Sequence, residues 1–290
     1  KKATTCHLLS SIGNVILMQH LQLMRPERAA ITRSMSPSEL KSLARVLLRR
    51  HKVNGTPFEM PILLRQSVLL EADRVRILDR RIFPFETRFV DCRTVEDVAC
   101  AIEAMVTQSG GPFFAASAGM VLAARMAQGL GPEARREMMQ ASAKRLIATR
   151  HTNNLIANAV GAMLAEAEAR IAEDGYASGT ETAMVALWED SRARARQVGE
   201  QAATQICDGD TVLTHCWGES AIIEPLAAAL RAGKRIKVIC TETRPYLQGS
   251  RLTAHSIAEM GIDVTVITDN MGAWAMDRGR VSRLITAADR

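Results

Sequence analysis

Residues 210–251 read DTVLTHCWGESAIIEPLAAALRAGKRIKVICTETRPYLQGSR. Val212–His215 is an apolar run with the length of a buried strand, and it hands over to Cys216 and a Trp217-Gly218 turn. An apolar helix is expected from Ser220 to Arg231, stopped by Gly233, with a second strand from Ile236 to Cys240. The polar loop Thr241–Gly249 closes the unit. Strand, helix and strand at this spacing form a right-handed parallel crossover. Ligands of open α/β sheets bind beyond the carboxyl ends of such strands. Cys216 and the Glu242-Thr243-Arg244-Pro245 loop therefore mark the edge where chemistry is expected.

The alternation continues downstream. Leu252–Met260 reads as a helix ended by Gly261, Val264–Thr268 as a strand, Asn270–Arg278 as a helix and Val281–Ala287 as a last strand. Four strands and three helices make a Rossmann-like parallel sheet domain over residues 207–290. It carries no GxGxxG, so dinucleotide binding is not indicated. A parallel sheet needs both faces covered. Because the last strand is followed at once by Asp289-Arg290, the domain is expected to be truncated at its C-terminus.

Upstream, residues 61–206 are expected to form a mainly helical domain with a small hairpin. Val75–Leu78 and Thr87–Val90 are its strands, on either side of Pro84. Thr94, with Asp97 three residues on, caps a helix to about Thr107. Gln108–Pro112 (QSGGP) is a glycine turn ahead of the helix Phe113–Gln128; it is a bare connection, or its backbone N–H groups hold an anion. Helices follow over Pro132–His151, Leu155–Asp174 and Glu181–Ile206, the last with Arg192, Arg194 and Arg196 toward solvent. Residues 1–60 are expected to be a helical extension: Thr4–Met24 has helical spacing, and Ser36-Pro37-Ser38-Glu39 opens a helix to about Arg50.

The 290 residues, 47% hydrophobic and 23% charged, have the composition of a soluble folded protein rather than a disordered one. Net charge is +6, with the excess in the first hundred residues, so an anionic ligand is plausible chemistry. Aromatic residues make up 4%, too few to interleave with the basic ones, and nucleic acid is not expected as a partner. The six cysteines are scattered without a CxxC pair, which fits a reducing cytoplasm better than a disulfide framework. No apolar run is long enough to span a membrane.

A lone cysteine is most often a packing residue, and an Asp after a strand is most often a helix cap. Glu219 and Glu224 read as ordinary helix charges. His215, adjacent to Cys216 on a strand, points to the other face, so a metal site is not expected. Cys216, Asp269, Asp289 and an arginine nevertheless converge on one sheet edge, a set able to move protons on a small anionic ligand.

Several segments are similar to a known family. Thr214-His215-Cys216, Thr241–Ala254 (TETRPYLQGSRLTA), Gly261–Met271 (GIDVTVITDNM) and Ile285–Arg290 (ITAADR) closely resemble the S-methyl-5-thioribose-1-phosphate isomerases. That family belongs to a wider group with ribose-1,5-bisphosphate isomerase and the alpha, beta and delta subunits of initiation factor 2B. Ile77–Val106 and Ala148–Leu155 resemble it more loosely; residues 1–60 do not. The resemblance implies an α/β chain acting as an aldose–ketose isomerase on a 5-substituted ribose 1-phosphate, in methionine salvage. Cys216 would be the catalytic thiol and Asp289 the catalytic carboxylate. Gln248 would bind sugar hydroxyls, Arg150 the phosphate, and Arg244 and Asn270 would shape the pocket, with Gly110 and Gly111 as phosphate donors. Neither metal nor other cofactor is implied, and a homodimer is. Proton transfer through an enediol and a direct hydride shift both fit. The other reading within the group is a non-catalytic sugar-phosphate or nucleotide sensor, or an assembly subunit.

The chain departs from the isomerase pattern at four places. QSGGPFF stands where RGAPAIG is usual, His151 follows Arg150 in place of proline, and Trp217-Gly218-Glu219 replaces Asn-Ala-Gly after Cys216. The sequence ends before the position of the family's Asn-Lys-Ile-Gly-Thr segment. Trp217 and Glu219 are expected beside the thiol, where they would alter which sugar fits. Two-sided proton transfer would place thiol and carboxylate on the order of 5–8 Å apart, with Cys240 a packing residue.

Overall fold

The computed structural model describes residues 58–150, 152 and 154–287. Met60–Arg290 is one compact unit. The helices expected between Thr4 and Arg50 lie outside the described residues, and so do His151 and Asp289.

A short helix α1 (Ile62–Arg65) leads into a three-stranded antiparallel sheet, β1 (Val68–Leu70), β2 (Val75–Leu78) and β3 (Phe89–Cys92), in that order. The expected hairpin is thus a three-stranded sheet. β1 has only three residues, too few for an alternating pattern to show, and β3 lies two residues later than its reading because Val75 pairs with Cys92. The next helix, α2 (Val95–Glu103), opens with a reciprocal Thr94–Asp97 capping box. It ends four residues before the expected Thr107, because Met105 takes a left-handed φ of 60°.

Four longer helices follow: α3 (Gly111–Met126), α4 (Pro132–Ile147), α5 (Asn154–Ala169) and α6 (Tyr176–Ala203). Their core runs from Val68 to Trp188 and includes Ile102, Met120, Leu146, Met163 and Tyr176. α3 is apolar almost all round because it is packed on several sides, by α2, α4, α5 and α6. Arg192 is part-exposed and pairs with Glu189, while its guanidinium also lies over the rings of Phe114 and Trp188, at 5.6 and 5.7 Å.

The second sheet is parallel: β4 (Thr211–Thr214), β5 (Lys237–Thr241), β6 (Asp263–Ile267) and β7 (Arg283–Leu284), in the order β6-β5-β4-β7. Helix α7 (Ser220–Arg231) has its expected bounds and packs along the 28-residue α6. Gly233 ends its last turn at φ +76°. The helix expected from Leu252 begins earlier, as a π turn over Gly249–Thr253 that runs into α8 (Ala254–Glu259). A 3₁₀ turn (Asp269–Met271) precedes α9 (Gly272–Asp277). The last strand is two residues rather than seven, because only Arg283 and Leu284 pair with β4. Among the described residues no helix is long and apolar enough to cross a membrane.

Candidate active site

In sequence order the strands of the parallel sheet run 3-2-1-4, so the order reverses between β4 and β7. Such a switch point opens a crevice at the carboxyl ends of the two strands, the place where open α/β sheets take their ligands. Cys216 lies just past β4. After β7 the chain returns to the same place: a Cβ on Gly218 would stand 2.7 Å from the Cβ of Ala287.

The loop carrying Cys216 is held from several sides. Cys216 has φ +60° and is half-buried. Its N–H donates to Thr243 Oγ1 at 3.0 Å, and its carbonyl accepts the Thr253 hydroxyl at 2.5 Å. Thr243 is itself left-handed, at φ +62°. The Thr243 and Arg244 N–H groups donate to the two oxygens of Asp269, at 2.7 and 2.8 Å. These bonds, that of Arg244 first and that of Thr243 next, hold the Asp269 carboxyl below its ordinary range. At the end of β4, His215 Nδ1 bonds Thr241 Oγ1 at 2.6 Å. A Cβ on Gly249 would meet the Thr241 carbonyl oxygen at 1.8 Å, so only glycine lets the π turn close onto β5 here. A π turn interposed in a helix is a frequent mark of a functional site.

Glu219 is not the surface helix charge its position suggests. It is 5% exposed, has φ +49°, and accepts from Arg80 Nη2 at 3.0 Å and from the Gly110 N–H at 2.6 Å. Arg80 is fully buried and also donates to Gln108 O and Ser67 Oγ, each at 2.5 Å. Trp217 is buried as well, its ring 5.9 Å from the Arg80 guanidinium carbon. Glu224 is also buried, and burial pushes its carboxyl up.

Among the described residues six non-glycine residues have positive φ: Met105, Ser109, Cys216, Glu219, Thr243 and Leu247. They fall in three loops, and the three loops meet. Gly110 bonds Glu219, Gln108 bonds Gln248 at 3.3 Å, and Cys216 bonds Thr243. Each left-handed residue costs on the order of 1–2 kcal/mol, and backbone strain of this kind clusters where a site must hold a set geometry.

The candidates fare differently. Gln248 is half-buried in this junction, with Cys216 in the adjoining loop. Gly110 is in it too, but its N–H is taken by Glu219, and the Gly111 N–H by Gln108 O. Arg150 donates to Ile102 O at 3.2 Å and points at Met105 Sδ. Burial lowers its affinity for its proton, and among the described residues it has no carboxylate partner. Arg244 does not reach the junction: its side chain is 71% exposed and pairs with Glu242 at 2.9 Å. Asn270 is exposed and accepts from Thr268. A cavity of about 310 Å³ opens on the far flank of Glu219, between Phe114, Arg196 and Val68, and neither Cys216 nor Gln248 lines it.

Residues 113–290 match the model of the initiation factor 2 subunit family. The chain belongs to this family. It is 37% identical over 227 residues to the methylthioribose-1-phosphate isomerase of Thermosipho melanesiensis, a match covering 75% of this chain and 65% of that protein. With the isomerase of Thermotoga neapolitana it shares 35% over 225 residues, 74% of this chain and 64% of that protein. The chain thus spans somewhat less than two thirds of the length of these curated relatives. Among solved structures, translation initiation factor eIF-2B subunit delta from A. fulgidus superposes with a TM-score of 0.70 at 31% identity, covering 77% of this chain and 68% of that one. A 5-methylthioribose 1-phosphate isomerase from Pyrococcus horikoshii OT3 gives 0.69 at 24% identity, over 84% and 69%, and shares the fold.

Arg80 and Glu219 are the pair that sequence reasoning missed. They stand 139 positions apart. The one available signal was an Arg-Arg pair one residue past strand β2, after Asp79, with an acidic residue opening a helix beside a glycine.

Proposed function

We propose that the complete protein is an aldose–ketose isomerase acting on a 5-substituted ribose 1-phosphate, S-methyl-5-thioribose 1-phosphate first among them, in methionine salvage. The observation that carries this is the strained three-loop junction at the sheet's switch point, which brings the Cys216 loop and Gln248 together. The 35–37% identity to methylthioribose-1-phosphate isomerases supports the substrate class.

On this reading the phosphate blocks the anomeric oxygen, so the ring opens first. An acid gives a proton to the ring oxygen as its bond to carbon 1 breaks. Loss of the carbon 2 proton to a base then gives an enol, and carbon 1 takes up a proton as the carbon 2 hydroxyl becomes the ketone. Cys216, half-buried, and Asp289 are the acid and base. Gln248 orients the hydroxyls, and Arg150, a half-buried cation without a carboxylate partner among the described residues, takes the phosphate. Incubating the complete protein with the sugar phosphate and following the new ketose carbon by NMR tests this. Absence of turnover with any pentose 1-phosphate would remove it.

The alternative is a non-catalytic sugar-phosphate sensor or assembly subunit. The Glu219 carboxylate on the glycine loop and the 31% identity to an initiation-factor delta subunit favour it. Unchanged cellular function in Cys216→Ser would decide for it. In either case we propose a homodimer joined through the parallel sheet domain, where Trp274, Met276, Val266 and Leu284 are exposed. Light scattering of the complete protein reads this directly.

A further inference from the structure

An oxyanion already sits on the glycine loop, and the chain supplies it. Glu219 lies between a backbone N–H at 2.6 Å and a guanidinium nitrogen at 3.0 Å, held as a bound phosphate or carboxylate would be. The second and independent observation is a surplus of donors around it. Arg80 Nε, Thr107 Oγ1 and Trp217 Nε1 are all buried and have no hydrogen-bond partner among the described residues. They are neighbours: a Cβ on Gly111 would touch both Thr107 Oγ1 and the Arg80 guanidinium, and that guanidinium faces the Trp217 ring. The other groups that Arg80 contacts, Gln108 O and Ser67 Oγ, are neutral, so Glu219 is what balances its buried charge. A carboxylate has two oxygens, and a phosphate would engage this donor set more fully.

We infer that Glu219 is a built-in occupant of an oxyanion seat formed by Gly110 and Arg80, and that it sets specificity by keeping a ligand's phosphate out of that seat. A ligand with one phosphate, held at another cation such as Arg150, is accepted, while a ligand that must place a second phosphate on the glycine loop meets a buried negative charge. The sugar part of this inference rests on the isomerase reading; the seat itself does not.

The test compares the wild-type chain with Glu219→Ala and with Arg80→Met/Glu219→Ala, melted with inorganic phosphate or with sodium chloride at equal ionic strength. Phosphate should raise the melting temperature of Glu219→Ala by roughly 5 °C more than that of the wild type. Acetate, a surrogate for the lost carboxylate, should act in the same direction, and the gain should vanish in the double variant. Equal phosphate shifts in wild type and Glu219→Ala, or a gain that persists without Arg80, would overturn the seat. Should Glu219→Ala fail to fold, Glu219→Gly, which also empties the seat and suits the φ of +49°, carries the same comparison with the same two outcomes. Specificity is read by binding: the ratio of affinities for a pentose bisphosphate and a pentose monophosphate should rise by about tenfold in the variant. An unchanged ratio refutes the specificity role. Turnover is not part of this measurement, so a protein without isomerase activity would count against the isomerase reading and leave the seat standing.

Discussion

In the helical body Ile102, Met120, Leu146 and Tyr176 interlock with no exposure, and the helices between Gly111 and Ala203 contain no left-handed non-glycine residue. At the carboxyl edge of the parallel sheet, Cys216, Glu219, Thr243 and Leu247 are all left-handed, and polar bonds hold them: Asp269 to two backbone N–H groups, Thr243 to Cys216, Arg80 to Glu219. The body is stabilised by non-directional burial, which tolerates small adjustments. The edge depends on a few directional bonds, each needed to keep strained backbone in place. Single changes should therefore act locally and sharply at the edge and more diffusely in the body.

The sharpest break of that contrast is Glu219→Ala. Leaving Arg80 buried and unpaired should cost about 3–5 kcal/mol in chemical denaturation, while Arg80→Met/Glu219→Leu should recover most of it. A body substitution such as Leu146→Ala should cost about 2–5 kcal/mol but show no such recovery by a partner change. If Glu219→Ala cost under about 1 kcal/mol, the pair would not be the tie between the two regions.

Next comes the thiol. Cys216→Ser should lower turnover at least about a hundredfold, the usual scale of general acid–base catalysis, with little loss of stability. Cys240→Ala should do the reverse, since Cys240 is a core residue whose thiol burial pushes up to about 12. Equal effects at the two cysteines would erase the distinction between edge and core.

A smaller effect is expected from acid. The Asp269 carboxyl is depressed in the folded protein by backbone N–H bonds from Arg244 and Thr243. The folded state therefore binds fewer protons than the unfolded one near pH 4. This contribution is complete above the ordinary Asp value of about 3.9 and is lost as pH falls through the lower folded value. Melting temperature against pH should fall less steeply on the acid side for Asp269→Asn, and an unchanged slope would show that the clamp is not felt in stability. Smallest is Ser109→Gly. Ser109 is exposed at φ +55°, so glycine should relieve strain and stabilise by about 0.5–1 kcal/mol after the entropy it adds to the unfolded chain.

What the sequence determined by itself is local or periodic. The bounds of α7, the Thr94–Asp97 capping box and the alternation of strands and helices after Asp210 are written in short-range pattern. Cys216 and Gln248 were singled out because they stand in segments that resemble a known family, and the structure brings their loops into one junction. The tertiary structure decided the rest. Whether Glu219 is a solvated helix charge or a buried anion depends on Arg80, 139 residues away, and nothing in the local spacing encodes that meeting. Gly110 kept its place in the junction, yet its N–H went to the protein's own carboxylate rather than standing free. Arg244 faces solvent because the Asp269 carboxylate fixes its backbone while Glu242 holds its side chain. Periodicity tells a chain which residues to bury; which buried charges then find one another is settled only when distant loops close on the same edge.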